Sequence, residues 1–194
     1  TSGNAKKVID QLPKDAQILF GPDYNLGSYI NSVTGRNMTL WNGGCHVHER
    51  FSADEIVRLK KENPDAIIMA HLECKAPVLA IADVKGSTAA MLEYAQAHPE
   101  QKQFIVATEA GILFELQRRC PGQEFIPVPP EVSEGEQLDS TVPTSCTCNE
   151  CEFMKLNTLE KIIAALEHLQ PEVTIPEDIA RDAVKPIERM LELS

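Results

Sequence analysis

Residues 66–77 read "AIIMAHLECKAP". A short apolar run, Ala66–Ala70, gives way to a polar turn carrying His71 and Glu73, and a helical pattern begins at Ala76. That order reads as a strand feeding a helix. The same alternation recurs outward from it. Apolar runs at 17–20, 38–41, 103–107, 124–128 and 172–175 read as further strands. Helical patterns fall at 4–11, 25–33, 53–62, 76–83, 88–97, 110–119, 155–169 and 177–192. Strands alternating with helices form βαβ units, and those build parallel sheets. The expected fold class is therefore α/β. Trp41, Phe20 and Phe104 read as core, and the polar, strand-poor stretch 129–145 reads as a long loop.

The chain also resembles itself. Gln17–Asp23 lies over Gln103–Glu109 at an offset of 86 residues, and Met38–Leu40 then falls on Glu124–Ile126. Ser2 falls near Ser87, each heading a helical pattern. Both copies run polar turn, helix, strand, acidic turn, helix, strand, cysteine loop. The second copy has an additional strand and helix upstream, beginning at Ala66. The first copy has none, which suggests a chain that starts inside a domain.

Composition narrows the function classes. Net charge is −11 with a pI near 4.9, which argues against a nucleic-acid backbone as partner. No apolar run approaches the roughly 20 residues that span a bilayer. The opening "TSGNAKKVID" carries no apolar signal region, so the expected compartment is the cytoplasm. In that setting the six cysteines suit metal binding or inert burial better than disulfides. No GxGxxG follows a strand, which argues against a conventional Rossmann enzyme.

Four segments carry candidate chemistry. "GGCHVH" (43–48) puts a soft thiolate and an imidazole on a glycine loop, suiting Cys45 to a metal and His48 to a substrate, or alternatively to an ordinary turn. His71 and Glu73 follow a strand directly. Ligand crevices in parallel sheets open at the carboxyl ends of strands, so this pair suits acid–base work. Gly86-Ser87-Thr88 opens a helix, where free N–H groups and hydroxyls suit a carboxylate or phosphate; Ser2 makes the same offer. Cys146, Cys148 and Cys151 lie close enough to hold zinc with a fourth ligand, or to lend one thiolate to a cluster. Cys74 and Cys120 read as structural, and His98 and His168 as surface residues.

Taken in order, "WNGGCHVHERF", "AHLECKAP", "VKGST", "FIVATEAGI" and "CNECEFMKLNTLEKI" resemble bacterial-type quinolinate synthase over essentially the whole chain. The resemblance implies three similar α/β/α lobes with small parallel sheets about a pseudo-threefold axis, two of them represented here. Residues 1–56 would be an incomplete second lobe and 57–170 the third lobe, with the loop 129–145. Residues 171–194 would be a C-terminal strand and helix packing on the lobes. The implied activity is condensation of iminoaspartate with dihydroxyacetone phosphate to quinolinate, on the route to NAD. The implied cofactor is a 4Fe–4S cluster acting as a Lewis acid, held by one cysteine from each lobe. Cys45 and Cys151 match two of these ligands; the third is expected from an N-terminal lobe that this chain lacks. Ser2, His48, His71, Glu73, Ser87 and Thr88 match substrate-lining positions, with Glu73, His71 and His48 as the catalytic groups.

The chain departs from the family pattern in several places. The first lobe and its cysteine are absent, as are the Tyr and Asn that precede "TSGNA". Leu72 stands where the family often has Pro, and Cys146 and Cys148 are extra thiols beside Cys151. The isolated chain is accordingly expected to be inactive. The implied partners are the two small substrates and the missing lobe, with neither nucleic acid nor membrane. Two other readings compete. One is a structural zinc or interaction module on Cys146, Cys148 and Cys151. The other is a metal-free α/β protein that binds a phosphate ligand at the Gly-Ser-Thr helix start.

Overall fold

The computed structural model describes residues 1–130 and 149–193. The chain divides into two compact units, one of Thr1–Lys6 with Pro13–Glu150, the other of Lys7–Leu12 with Cys151–Ser194. Helix α1 (Ala5–Asp10) contributes residues to both.

The first unit is α/β and contains two parallel sheets. Strands β1 (Leu19–Phe20) and β2 (Thr39–Leu40) pair through the crossover helix α2 (Tyr24–Thr34). After α3 (Ala53–Glu62) come β3 (Ile67–His71), α4 (Ala76–Ile81), β4 (Val84–Gly86), α5 (Thr88–Ala97), β5 (Gln103–Ala107), α6 (Ile112–Arg119) and β6 (Glu124–Pro127). These four strands lie in the order β4-β3-β5-β6, all parallel.

The central strands β3 and β5 read as unbroken apolar runs because both of their faces are covered. Met69, Ala70, Phe104, Ile105 and Val106 are at most 1% exposed. Around them Met91, Ala95, Leu116 and Phe125 complete the core, with the Phe104 and Phe125 rings stacked at 5.3 Å. Each such large side chain contributes roughly 1.5–3 kcal/mol by leaving water.

Helix α2 is defined by its ends and by one close approach. Asp23 caps it by accepting from Leu26 N at 2.7 Å, and Gly35 closes it at φ +68°, the left-handed region that strains a residue with a Cβ. Gly27 lets the helix sit directly on the small sheet. A Cβ there would lie 2.6 Å from Leu40 Cδ2 and 2.8 Å from Phe20 Cδ1.

The two stretches aligned in the sequence each fold as a βαβ unit. β1–α2–β2 and β5–α6–β6 are both parallel pairs with one crossover helix. Their registers differ by one residue: Leu19 faces Thr39, whereas Ile105 faces Ile126.

Three expectations need correction. Residues 172–175 form no strand. Pro171 and Pro176 bracket them, and proline gives up the N–H a ladder needs. Conversely, β4 was invisible in the sequence. It is a three-residue edge strand with an outward Lys85, too short and polar to stand out. Trp41 is 65% exposed rather than core, because β2 ends at Leu40 and the indole lies over the turn, where a Cβ on Gly43 would be 3.1 Å from Trp41 Cδ1. Of the expected long loop, residues 131–145 lie outside the described residues.

The second unit is helical. Helix α7 (Leu159–His168) is capped by Thr158, whose hydroxyl accepts from Lys161 N at 3.3 Å. Helix α8 (Glu177–Leu193) receives Gln11 Nε2 on the carbonyl of Leu193 at 2.6 Å. No described helix is long and apolar enough to cross a membrane.

Candidate active site

The carboxyl ends of β2, β3, β4 and β5 lead into the segments that carry the candidate side chains, as the crevice rule for parallel sheets requires. The glycine loop after β2 is tied to the start of α2. Tyr24 N donates to Gly43 O at 2.7 Å, and Cys45 N donates to Asp23 Oδ2 at 2.8 Å. The chain then makes a single 3-10 turn, His48–Arg50, begun by Glu49 N donating to Cys45 O at 3.0 Å. This turn buries His48 and leaves His46 exposed.

His48 and His71 stack at 4.3 Å with their planes 13° apart. Each ring is fixed by different partners. The N–H of Glu73 donates to His71 Nδ1 at 3.3 Å, so that nitrogen carries the lone pair. His71 Nε2 then carries the proton and donates to Ser2 Oγ at 3.2 Å. The 3.8 Å separation of His71 Nδ1 from Glu73 Oε2 is therefore a near approach and no ion pair. His48 Nε2 lies 3.0 Å from Thr108 Oγ1, both groups being buried. His48 Nδ1 lies 3.2 Å from Glu73 Oε2 but off the line of a hydrogen bond, which leaves a buried ring nitrogen without a well-aligned partner. Cys45 Sγ, a His48 ring nitrogen and a Glu73 oxygen all fall within 4.8 Å of one another.

The electrostatics follow from this packing. Burial, reinforced by charge on His48, pushes the His71 imidazole down to about 4, so it is neutral at pH 7. Burial also opposes charge on His48, but the neighbouring Cys45 and Glu73 outweigh it and raise the imidazole to about 9. Contact with His48 lowers Glu73. Burial works against ionisation of Cys45, yet His48 prevails and the thiol is lowered. Burial raises Asp23 against the two backbone N–H groups it accepts. Cys74 is the contrast: fully buried, with Sγ 3.5 Å from Ala107 O, its thiol is pushed up to about 12.

Ser2, His48, His71 and Glu73 are thus brought together beside Cys45. Ser87 caps α5 by accepting from Ala90 N at 3.3 Å, and Thr88 is the first residue of that helix. The two helix starts converge, since a Cβ on Gly3 would lie 3.4 Å from Ser87 Oγ. Cys151 is half-buried in the second unit, where its carbonyl accepts from Lys155 N at 3.1 Å. Cys120 is buried at the end of α6. Cys146 and Cys148 lie outside the described residues, and with them two of the three thiols of the alternative zinc module. His98 is half-buried, its ring stacked on Tyr94 at 4.0 Å. Sequence reasoning passed over Thr108 and Asp23. The crevice rule, applied to β5 as it was to β3, would have marked Thr108; Asp23 stood in the repeat's acidic turn.

Residues 1–192 match the family described as Quinolinate synthetase A protein. The chain is similar to the quinolinate synthase of Nostoc sp. (strain PCC 7120), at 48% identity over all 194 residues of this chain and 56% of the relative's length. It is similar to the quinolinate synthase of Chloroherpeton thalassium at the same identity and coverage, again with 56% of that protein matched. The quinolinate synthase of Thermosynechococcus vestitus is also 48% identical over the whole chain, with 57% of its length covered. The chain thus spans just over half the length of the curated relatives it matches.

Proposed function

Because the chain belongs to the Quinolinate synthetase A protein family, we propose that its crevice is part of a quinolinate synthase active site. The reaction would condense iminoaspartate with dihydroxyacetone phosphate, and the remaining length of the relatives would complete the site. The observation that carries this reading is the stacked pair His48–His71 closed by Glu73 and Ser2, next to a half-buried thiol.

The expected cofactor, a 4Fe–4S cluster, fits the donor chemistry of this chain. Cys45 is a half-buried thiol lowered by His48, and the His48 nitrogen beside it lacks an aligned partner. Cys45 and Cys151 would each supply a thiolate, with the third outside this chain. A cluster with three thiolate ligands supplies a Lewis-acidic iron that helps a hydroxide leave.

The chain's own groups divide the proton work by their protonation at neutral pH. Glu73 is ionised and accepts a proton at its carboxylate. His48, charged and 3.2 Å from Glu73 Oε2, returns a proton through Nδ1. His71, neutral with hydrogen on Nε2, orients a substrate oxygen by hydrogen bonding together with Ser2. Ser87, Thr88 and the free N–H groups of the first turn of α5 receive a substrate carboxylate or the phosphate.

The test is anaerobic iron–sulfide reconstitution of the chain, alone and with the remaining part of a relative, followed by turnover assays. A cluster and quinolinate formation are expected only when both parts are present. Cys45→Ser should abolish the cluster. Glu73→Gln should keep the cluster and lower turnover by roughly 100-fold or more, the usual contribution of a general base. Parallel losses of cluster and turnover in Glu73→Gln would remove Glu73 from catalysis.

A further inference from the structure

The buried and imperfectly partnered Nδ1 of His48 is the least explained polar atom in the crevice. Its surroundings are unusual for a proton-transfer group alone. Glu73 Oε2 lies 3.2 Å from it, and Cys45 Sγ, a His48 ring nitrogen and a Glu73 oxygen lie within 4.8 Å of one another. This is the one such trio of potential metal ligands among the described residues. A tetrahedral ion bound at about 2.0–2.3 Å holds its ligands about 3.5 Å apart. The His48–Glu73 separation of 3.2 Å is close to that spacing, and the sulfur, within 4.8 Å of both, closes the rest by turning about its Cα–Cβ bond.

The far side of His48 is arranged in the same sense. Metal-bound histidines donate their other ring N–H to a neighbouring acceptor, which fixes tautomer and orientation. Thr108 Oγ1 stands 3.0 Å from His48 Nε2 in a buried position and can accept that hydrogen. With Nε2 protonated, Nδ1 is left to bind. The N–H of Cys45 is held in turn by Asp23, which fixes the sulfur's backbone from behind.

We propose that Cys45 Sγ, His48 Nδ1 and the Glu73 carboxylate form a site for a single borderline divalent ion of the zinc class, in the chain that carries no cluster. Sulfur, imidazole and carboxylate together are the donors such ions select, and three protein ligands leave a position open for water or an anionic ligand. Thiolate and carboxylate neutralise the ion's charge, and binding releases a proton from the Cys45–His48 pair. This mononuclear site differs from the cluster in drawing every protein ligand from this chain. Because both use Cys45, the two exclude each other, and a divalent ion bound first blocks cluster assembly.

Cobalt(II) is the probe, since it reports its ligands by colour. The chain is prepared with Cys74, Cys120, Cys146, Cys148 and Cys151 replaced, Cys74 and Cys120 by Ala because they are buried and the others by Ser, so that Cys45 is the one thiol left. Anaerobic titration should give one equivalent of bound cobalt, with a sulfur-to-cobalt charge-transfer band and four- or five-coordinate visible bands, and zinc should displace it. Cys45→Ser should remove the charge-transfer band. Glu73→Gln should weaken binding by roughly 100-fold, and Thr108→Val, which keeps the shape and removes the acceptor, by roughly 10-fold. Far-ultraviolet circular dichroism checks each variant; if Cys45→Ser does not fold, Glu73→Gln and Thr108→Val decide. Absence of the charge-transfer band in this background overturns the proposal, as does cobalt affinity unchanged by Glu73→Gln and Thr108→Val. The titration uses no iron or substrate, so its failure leaves the synthase reading to the reconstitution experiment.

Discussion

Asp23 places its two carboxylate oxygens on two different backbone N–H groups, Leu26 at the start of α2 and Cys45 on the glycine loop. One side chain thereby couples a helix end to the position of the candidate ligand sulfur. Loss of a helix cap costs about 1 kcal/mol, and a buried N–H left without a partner costs about 1–3 kcal/mol. Asp23→Ala should therefore destabilise the chain by roughly 2–4 kcal/mol in urea unfolding. Asp23→Asn should cost about half of that, because an amide has one acceptor oxygen and must choose between the two donors. An alanine variant as stable as the parent would show that the coupling carries no energy. His71 illustrates the same economy of position. One backbone N–H, that of Glu73, sets its tautomer and so decides that Ser2 receives the hydrogen.

At the scale of elements, local pattern was a good guide wherever both faces of a strand or one face of a helix met the core. β3 and β5 appear within one residue of their apolar runs, and α2, α3 and α5 within one residue of their periodic stretches. Elements held by pairing alone were not legible. β4 exists because Met69, Ala70 and His71 offer it a partner, and 172–175 has no such partner among the described residues. The contact between α2 and the small sheet gives a test. Gly27→Ala gains about 1 kcal/mol of helix propensity and overpacks Leu40 and Phe20 at a cost of roughly 1–3 kcal/mol. The net change should be a destabilisation of about 1 kcal/mol, read by thermal or urea unfolding. A variant more stable than the parent would mean that the helix lifts off the sheet freely.

Over the whole molecule, burial is concentrated in the first unit. Phe104, Ile105 and Val106 are at most 1% exposed, whereas among the described residues 152–192 all but Thr158 and Met190 are exposed. Hydrogen exchange should follow this contrast, since amides under a dense core exchange only on large-scale opening. The amides of β3 and β5 are expected to be the slowest, and those of α7 and α8 to exchange orders of magnitude faster. Equal protection in α7 and β5 would show that the second unit has a core of its own. The chain carries a net charge of −11, whereas the candidate anion donors at the site are hydroxyls and helix N–H groups. Such a site attracts a small anion by local geometry against the global field.

The sequence by itself determined the α/β class and the short segments in which the candidate side chains lie. Those properties are written in spacing between near neighbours, and a strand end is a strand end wherever it lies. Only the tertiary structure decided which groups meet. His48 reaches Thr108 across 60 residues and Ser2 reaches His71 across 69, so no window of sequence holds either pair. The tautomers, the neutral His71 against the charged His48, and the meeting of sulfur, nitrogen and oxygen at one point all arise from that convergence. Burial then sets their protonation, because an imidazole's charge depends on what surrounds the ring.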